Sequence, residues 1–413
     1  MFETAEKKER VILVAVAVDS EEETRISLKE LGALAEAAGA EVTATLIQNR
    51  EKVHPGTYIG KGKIEELGQM LYMYDADAVI CDDELSPAQL SNLQNELDCK
   101  VMDRTLVILD IFAARARSSE GKIQVELAQL RYRQSRLIGL RRSLSRQGGG
   151  IGTRGPGEKK LEMDRRLIGE RISILKKQLE EVKAHREVIR QSRAKKNAFS
   201  AAIVGYTNAG KSTLLNALTG ADVLAEDALF ATLDPTTRAL SLPHGGEVLL
   251  TDTVGFIRKL PHHLIEAFRS TLEEAVYADV IIHVVDVSNP QMEQQMKIVY
   301  ETLDFLGVSD KKILTFFNKT DRQTQEVRMV DERASEILQI SAANSYGVEK
   351  IPELLEKIIL SERLYIERIY AFDQLGKVAI IREKGQLLEE EYLAEGVKVK
   401  AYVPMEIYGA IDI

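Results

Sequence analysis

The sequence predicts an α/β protein in four parts. These are an N-terminal α/β domain over residues 1–112, a long antiparallel helical hairpin over 113–197, a second α/β domain with a mixed, mostly parallel sheet over 198–362, and a small α+β domain over 363–413. Three observations carry this reading. Apolar runs of strand length alternate with amphipathic stretches of helix length in two separate blocks, the pattern that builds parallel sheets. Between the blocks the apolar spacing changes to a four-three repeat in two long stretches around a glycine-rich break. In the second block, a Gly-x-x-x-x-Gly-Lys-Ser run falls where an apolar strand passes into a helix.

In the first block, residues 11–18, 41–48, 78–81 and 100–102 read as strands and 27–38, 62–74 and 86–97 as helices. The hairpin helices are expected over 118–146 and 158–194. Ile123, Leu127, Leu130, Leu137 and Leu144 form one stripe, and Leu161, Ile168, Ile172, Leu175, Leu179, Val182 and Ile189 the other. Arg131, Arg133, Arg136, Arg141, Arg142 and Arg146 lie off the stripe and are expected to crowd toward the glycine-rich tip. The second block offers strands at 201–205, 248–252, 280–287, 313–318 and 338–341. The last fifty residues hold alternating apolar stretches, the pattern of strands, at 377–382 and 397–403 around a helix-like acidic stretch at 386–394.

Composition narrows the function classes. Of 413 residues 45% are hydrophobic and 29% charged, with no apolar run near the roughly 18 residues of a membrane span. The charged N-terminus does not resemble a secretory signal, and Cys81 and Cys99 make no disulfide framework, so a reducing cytoplasm is expected. The net charge of −9 conceals an asymmetry: residues 111–200 hold 23 Lys and Arg against nine Asp and Glu, a net of +14, leaving −23 on the rest. Such a segment points to a polyanionic partner, most simply nucleic acid; the plain alternative is a solvated helical surface.

The chemistry is concentrated in short motifs. Gly205, Tyr206, Thr207, Asn208, Ala209, Gly210, Lys211 and Ser212 form a phosphate-binding loop. Its glycines let backbone N–H groups wrap a phosphate, Lys211 places a charge at the β- and γ-phosphates, and the Ser212 hydroxyl can ligate Mg²⁺. Asp252, Thr253, Val254 and Gly255 end a later strand, with a carboxylate for Mg²⁺ through water and a glycine N–H to sense the γ-phosphate. Asn318, Lys319, Thr320 and Asp321 follow another strand. Asp321 can accept both N1–H and N2–H₂ of guanine, whereas adenine would leave its carboxylate unpaired. Ser341, Ala342 and Ala343 then offer a backbone N–H to the guanine O6. The nucleotide expected is GTP. For the switch threonine that ligates Mg²⁺, Thr232, Thr236 and Thr237 all compete.

At this point the sequence resembles the translation-factor-related GTPases and, within them, the HflX family. The family resemblance rests on Phe230, Ala231, Thr232, Leu233, Asp234, Pro235, Thr236 and Thr237, on the Gly-Gly-Gly-Ile-Gly-Thr-Arg-Gly-Pro-Gly-Glu run at 148–158, and on an α/β domain ahead of the GTPase domain. It implies a P-loop GTPase that associates with the large (50S) ribosomal subunit through the basic hairpin and splits or rescues stalled ribosomes under stress. It favours Thr232 as the switch ligand, so that Ser212 and Thr232 hold the metal and Lys211, Thr232 and Gly255 serve catalysis. Asn208 resembles the residue associated with potassium in related GTPases. Where Ras-like enzymes carry a water-orienting glutamine, this chain has Phe256, so slow intrinsic hydrolysis, stimulated by the ribosome, is expected. The same motifs also allow a ribosome-assembly GTPase, or a regulatory switch whose hairpin binds a protein such as a protease. A monomer without a membrane span is expected.

Two further features are weighed lower. Gly60-Lys61-Gly62-Lys63 opens a helix and resembles a second nucleotide site but lacks the full loop. His262, His263 and His283 have no ligand-spaced acidic or cysteine partners and read as structural or surface histidines.

Overall fold

The computed structural model describes residues 8–147, 156–195, 199–220, 229, 230, 232–261, 264, 269–308, 310–323 and 328–412. They form two compact units. One contains residues up to 182 with the stretches 226–234 and 255–271; the other contains 183–225, 235–254 and 272–413.

In the first unit, β1 (Arg10–Ala17), β2 (Glu41–Asn49), β3 (Ala78–Cys81) and β4 (Lys100–Asp103) form a parallel sheet ordered β2-β1-β3-β4. Every residue of β1 from Val11 to Ala17 is buried, as a strand covered on both faces requires. The helices are α1 (Glu21–Ala37), α2 (Lys61–Met73), α3 (Pro87–Leu97) and α4 (Arg104–Arg115). Ser20 caps α1, and Ser86 with Gln89 forms a capping box on α3 behind Pro87. The Asp103 carboxylate, at the end of β4, accepts the Leu106 N–H at 2.9 Å and so starts α4 at once.

The hairpin helices are α5 (Ser119–Gln147) and α6 (Pro156–Lys195), close to their expected bounds. Leu127, Ile172 and Leu175 bury a seam flanked by Ile123, Leu130, Ile168 and Leu179, and Arg171 forks onto Glu126 at 2.7 and 2.9 Å. Residues 148–155 lie outside the described residues, and so does Arg154 among them. One arginine departs from the expected arrangement. Arg136 turns inward, donates to Asp103 Oδ2 at 2.6 Å and lies 3.2 Å above the Tyr132 ring, whose hydroxyl donates to Asp103 Oδ1 at 2.8 Å. The fully buried Asp103 carboxylate needs a counter-charge, and α5 supplies it.

In the second unit, β5 (Phe199–Gly205), β6 (Thr236–Ser241), β7 (Glu247–Asp252), β8 (Val280–Asp286), β9 (Lys312–Asn318) and β10 (Glu336–Gln339) form a sheet ordered β10-β9-β8-β5-β7-β6. All pairs are parallel except β6 with β7, so the sheet is mixed and mostly parallel. Its helices include α7 (Lys211–Thr219), α8 (Arg269–Tyr277, in this unit from residue 272), α9 (Met292–Phe305) and α10 (Ile351–Ser361). Ile203, Leu214, Leu250, Ile282, Leu314, Ile351 and Leu355 lie at the centre of the core beneath the strand ends that carry the motifs.

The C-terminal region is α+β, but two of its elements differ in type from expectation. Residues 377–382 belong to a helix, α11 (Leu375–Lys384), and 386–394 contain a strand, β12 (Gln386–Leu393). With β11 (Arg363–Tyr370) and β13 (Gly396–Pro404) it makes an antiparallel sheet ordered β11-β13-β12, followed by α12 (Met405–Ile411). The short apolar run held too few residues to separate period 2 from period 3.6, and Val378 and Ile381 are buried one helical turn apart. The acidic run is drawn into the sheet because Glu389 faces Lys400, at 2.6 Å, while Glu391 lies opposite Lys398 in register.

Candidate active site

In the second unit, β5 delivers Gly205 at its C-terminal end and α7 begins six residues later at Lys211. Asn208 (φ 61°) and Gly210 (φ 94°) adopt left-handed conformations that curl the loop over the helix start. Lys211 is buried and its ammonium donates to the Gly205 and Tyr206 carbonyls at 3.3 and 3.0 Å. Burial pulls its pKa down to about 8, although Asp252 acts in the opposite direction.

Two more loops close on this one. Asn318 donates through Nδ2 to the Ala209 carbonyl at 2.9 Å and accepts the Ala342 N–H at Oδ1, also at 2.9 Å. One side chain therefore joins the phosphate loop, the 318–321 turn and the 341–343 turn. A Cβ on Gly210 would collide with Asn318 Nδ2, so this position must be glycine on two counts. Ser341 Oγ donates to Asp321 Oδ1 at 2.6 Å, and Thr320 Oγ1 donates to the Ile340 carbonyl at 3.0 Å. Lys319, left-handed at φ 63°, reaches Asp286 at 2.9 Å. Sequence reasoning missed Asp286; the available signal was a carboxylate ending an apolar strand.

At the mouth of the loop, Ser212 Oγ donates to Asp252 Oδ2 at 2.7 Å. Thr253 Oγ1 donates to the Ile203 carbonyl at 2.8 Å and, with the buried Val254, fixes the chain after β7. A hydroxyl and a carboxylate converging beside a phosphate loop form an oxygen donor set of the kind hard divalent cations take, so these residues fit Mg²⁺. Thr236 and Thr237, the other switch candidates, are strand residues of β6; Thr237 Oγ1 lies 2.9 Å from Thr251 Oγ1.

Phe230, Thr232, Leu233, Asp234 and Gly255 belong to the first unit, and Ala231 lies outside the described residues. Phe230 and Leu233 are buried, and the Phe230 ring packs edge-on against Phe112 of α4 at 4.7 Å. Asp234 accepts hydrogen bonds from the start of α5. Phe256, just past Gly255, is buried and offers no hydrogen-bonding group to water. Three residues further on, Lys259 bridges Asp82 and Asp83 at 2.5 and 2.6 Å, and Arg104 donates to Asp82 at 2.8 Å and Glu30 at 2.7 Å. Burial opposes ionisation of Asp82, but Arg104 and then Lys259 outweigh it and lower its pKa.

Of the features weighed lower, the Gly60 N–H is taken by Gln48 Oε1 at 2.8 Å and Lys63 pairs with Glu66. His283 is buried beside Tyr300 and Asp331; His262 and His263 lie outside the described residues. Among the described residues no helix is long and apolar enough to cross a membrane.

Residues 25–113 match a family model described as GTP-binding GTPase N-terminal, 115–193 one described as GTP-binding GTPase Middle Region, and 200–319 one described as 50S ribosome-binding GTPase. The GTPase HflX of Lacrimispora saccharolytica is 62% identical over 411 residues, covering 100% of this chain and 97% of that protein. The chain belongs to the HflX GTPase family. The HflX of Caldanaerobacter subterraneus subsp. tengcongensis is 50% identical over 98% of this chain and 94% of its own length. A crystal structure of SsGBP in complex with GDP is 27% identical, covers 85% of this chain and 98% of its own, and superposes with a TM-score of 0.49. As an HflX GTPase the chain binds GTP and hydrolyses it to GDP and phosphate.

Proposed function

We propose that this HflX chain is a GTP-driven switch that binds the large ribosomal subunit through its basic hairpin and splits or rescues stalled ribosomes. The observation that carries the proposal is the +14 charge of residues 111–200 in a chain of −9. Arg141, Arg142 and Arg146 fall in the last turns of α5, beside the glycine-rich run, where phosphates can be neutralised by side chains and approached closely by bare backbone. The likeness of residues 200–319 to a 50S ribosome-binding GTPase supports the same partner.

In this reading Lys211 and the backbone N–H groups of 205–212 hold the β- and γ-phosphates, and Asp321, oriented by Ser341, selects guanine. Asn318 holds the base-side loop to the phosphate side through the Ala209 carbonyl, and Lys319 ties that loop to Asp286. Bound Mg²⁺ would neutralise charge between the β- and γ-phosphates, with Ser212 and Thr232 as ligands and Asp252 acting through water. Gly255 presents its N–H to the γ-phosphate. Phe256 cannot orient the attacking water, so that task falls to backbone or to the partner, and intrinsic turnover is slow. Asn208 is the residue at which a potassium requirement would act; equal turnover in K⁺ and Na⁺ buffers would remove it.

The test is GTP turnover with and without 50S subunits, for the full chain and a variant lacking residues 148–157, together with sedimentation across a salt series. Loop-dependent stimulation and binding that weakens steeply with salt are expected. Absent stimulation, or binding indifferent to salt, would overturn the ribosomal reading.

A further inference from the structure

The first helix of the hairpin begins in an unusual way. Ser118 is its own N-cap residue, since Ser118 Oγ accepts the Gly121 N–H at 2.8 Å. That serine is held in turn by a residue 116 positions away in sequence. The Asp234 carboxylate accepts the Arg117 N–H at 3.0 Å and the Ser118 N–H at 2.8 Å through Oδ2, while the Ser118 hydroxyl donates to Oδ1. One carboxylate thus takes three hydrogen bonds just ahead of the positive end of a 29-residue helix, where a negative charge is favoured.

The sequence of α5 makes room for this carboxylate. A helix opened by serine commonly carries Glu or Gln three residues on to complete the cap from within. Here that position is Gly121, and a Cβ on it would stand 2.5 Å from Asp234 Oδ1 and 3.0 Å from Ser118 Oγ. Asp234 also has little slack toward Thr232. Leu233 and Phe230 are buried on either side of that threonine, and two residues of chain span at most about 7 Å.

We propose that Asp234 is a positioning residue that ties switch I to the start of α5, so that nucleotide-driven movement of Thr232 and the anchoring of the hairpin are one linked equilibrium. The proposal rests on the reading of Thr232 as the switch ligand. Linkage is reciprocal: whatever GTP does to the seat of Asp234, altering that seat does to GTP. The first turn of α5 would then report the nucleotide state to the element that carries the basic charge.

Gly121→Ala separates the helix from its external cap, because alanine favours helix while its methyl group excludes the carboxylate. Ser118→Ala removes only the hydroxyl and serves if Gly121→Ala does not fold. The measurement is amide exchange over residues 117–121 in the full chain loaded with GDP or a non-hydrolysable GTP analogue, with both affinities determined. In the wild type a difference of about fivefold or more in exchange is expected between the two nucleotides. In Gly121→Ala that difference disappears, and the ratio of analogue to GDP affinity shifts by a similar factor while protection further along α5 persists. Equal exchange in both states, with an unchanged affinity ratio in the variants, overturns the coupling. Failure of the wild type to take up either nucleotide would instead refute the site itself.

Discussion

Asn318 donates to the carbonyl of Ala209 at 2.9 Å, its Nδ2 standing where a Cβ on Gly210 would fall, and this contact locks the 205–212 loop to the 318–321 turn. The 205–212 loop and the 318–321 turn therefore cannot be adjusted independently. A change in either is felt by the other.

Gly210→Ala should weaken GTP and GDP about a hundredfold, since its methyl group meets Asn318 Nδ2 and its left-handed φ of 94° disfavours any side chain. Titration with a fluorescent nucleotide checks this. Because Asn318 is the atom struck, the double variant with Asn318→Ala should lose less than the sum of the two single losses.

Asp321→Asn should lower GTP affinity by about three orders of magnitude and favour xanthosine triphosphate, whose C2 oxygen accepts the new amide N–H where guanine presented donors. Competition binding with the two nucleotides decides it. Ser341→Ala removes the 2.6 Å hydrogen bond that orients Asp321 and should weaken GTP by about tenfold without changing base preference.

Nucleotide affinity should fall in mild alkali. Lys211 is held near pKa 8 by burial, below its ordinary 10.5, so the free site loses its ammonium first and phosphate binding must restore that proton. Affinity is full below pH 8 and should drop about tenfold per pH unit above it. For the stability of the free protein the sign is opposite. Between pH 8 and 10.5 the unfolded chain binds the proton more tightly, so this lysine makes folding more favourable as pH rises. Isothermal titration from pH 7 to 9, with Lys211→Met as the flat control, checks the first sign.

Asp331→Asn should cost about 2–3 kcal/mol in urea unfolding, because its buried Oδ2 accepts from Tyr300 and Thr315, each at 2.5 Å. Burial works against the charge, and the surrounding donors of His283, Thr315 and Tyr300 more than offset it, placing the carboxyl below its ordinary range. A depressed carboxylate contributes stability above its unfolded pKa, near 4, that is lost as pH falls through the folded value. The variant should therefore show a flatter loss of stability in acid below pH 4.

What the sequence determined by itself was whatever lies contiguous along the chain. A phosphate must be wrapped by consecutive backbone N–H groups, so Gly205 to Ser212 can be read as a string, as can the Asn318 to Asp321 run. The periodic stripes placed α5 and α6, and the alternation placed the parallel strands of both sheets but not β6, which joins the second sheet antiparallel to β7. Tertiary structure decided what depends on partners far apart in sequence. Asp234 finds Ser118, Arg136 turns in to neutralise Asp103, Lys319 reaches Asp286, and the acidic 389–391 stretch becomes a strand because β13 brings lysines opposite it. The Asp103 charge is buried and tolerable only because a distant segment supplies Arg136; the other partners likewise come from distant segments, and no local spacing encodes which segment that will be.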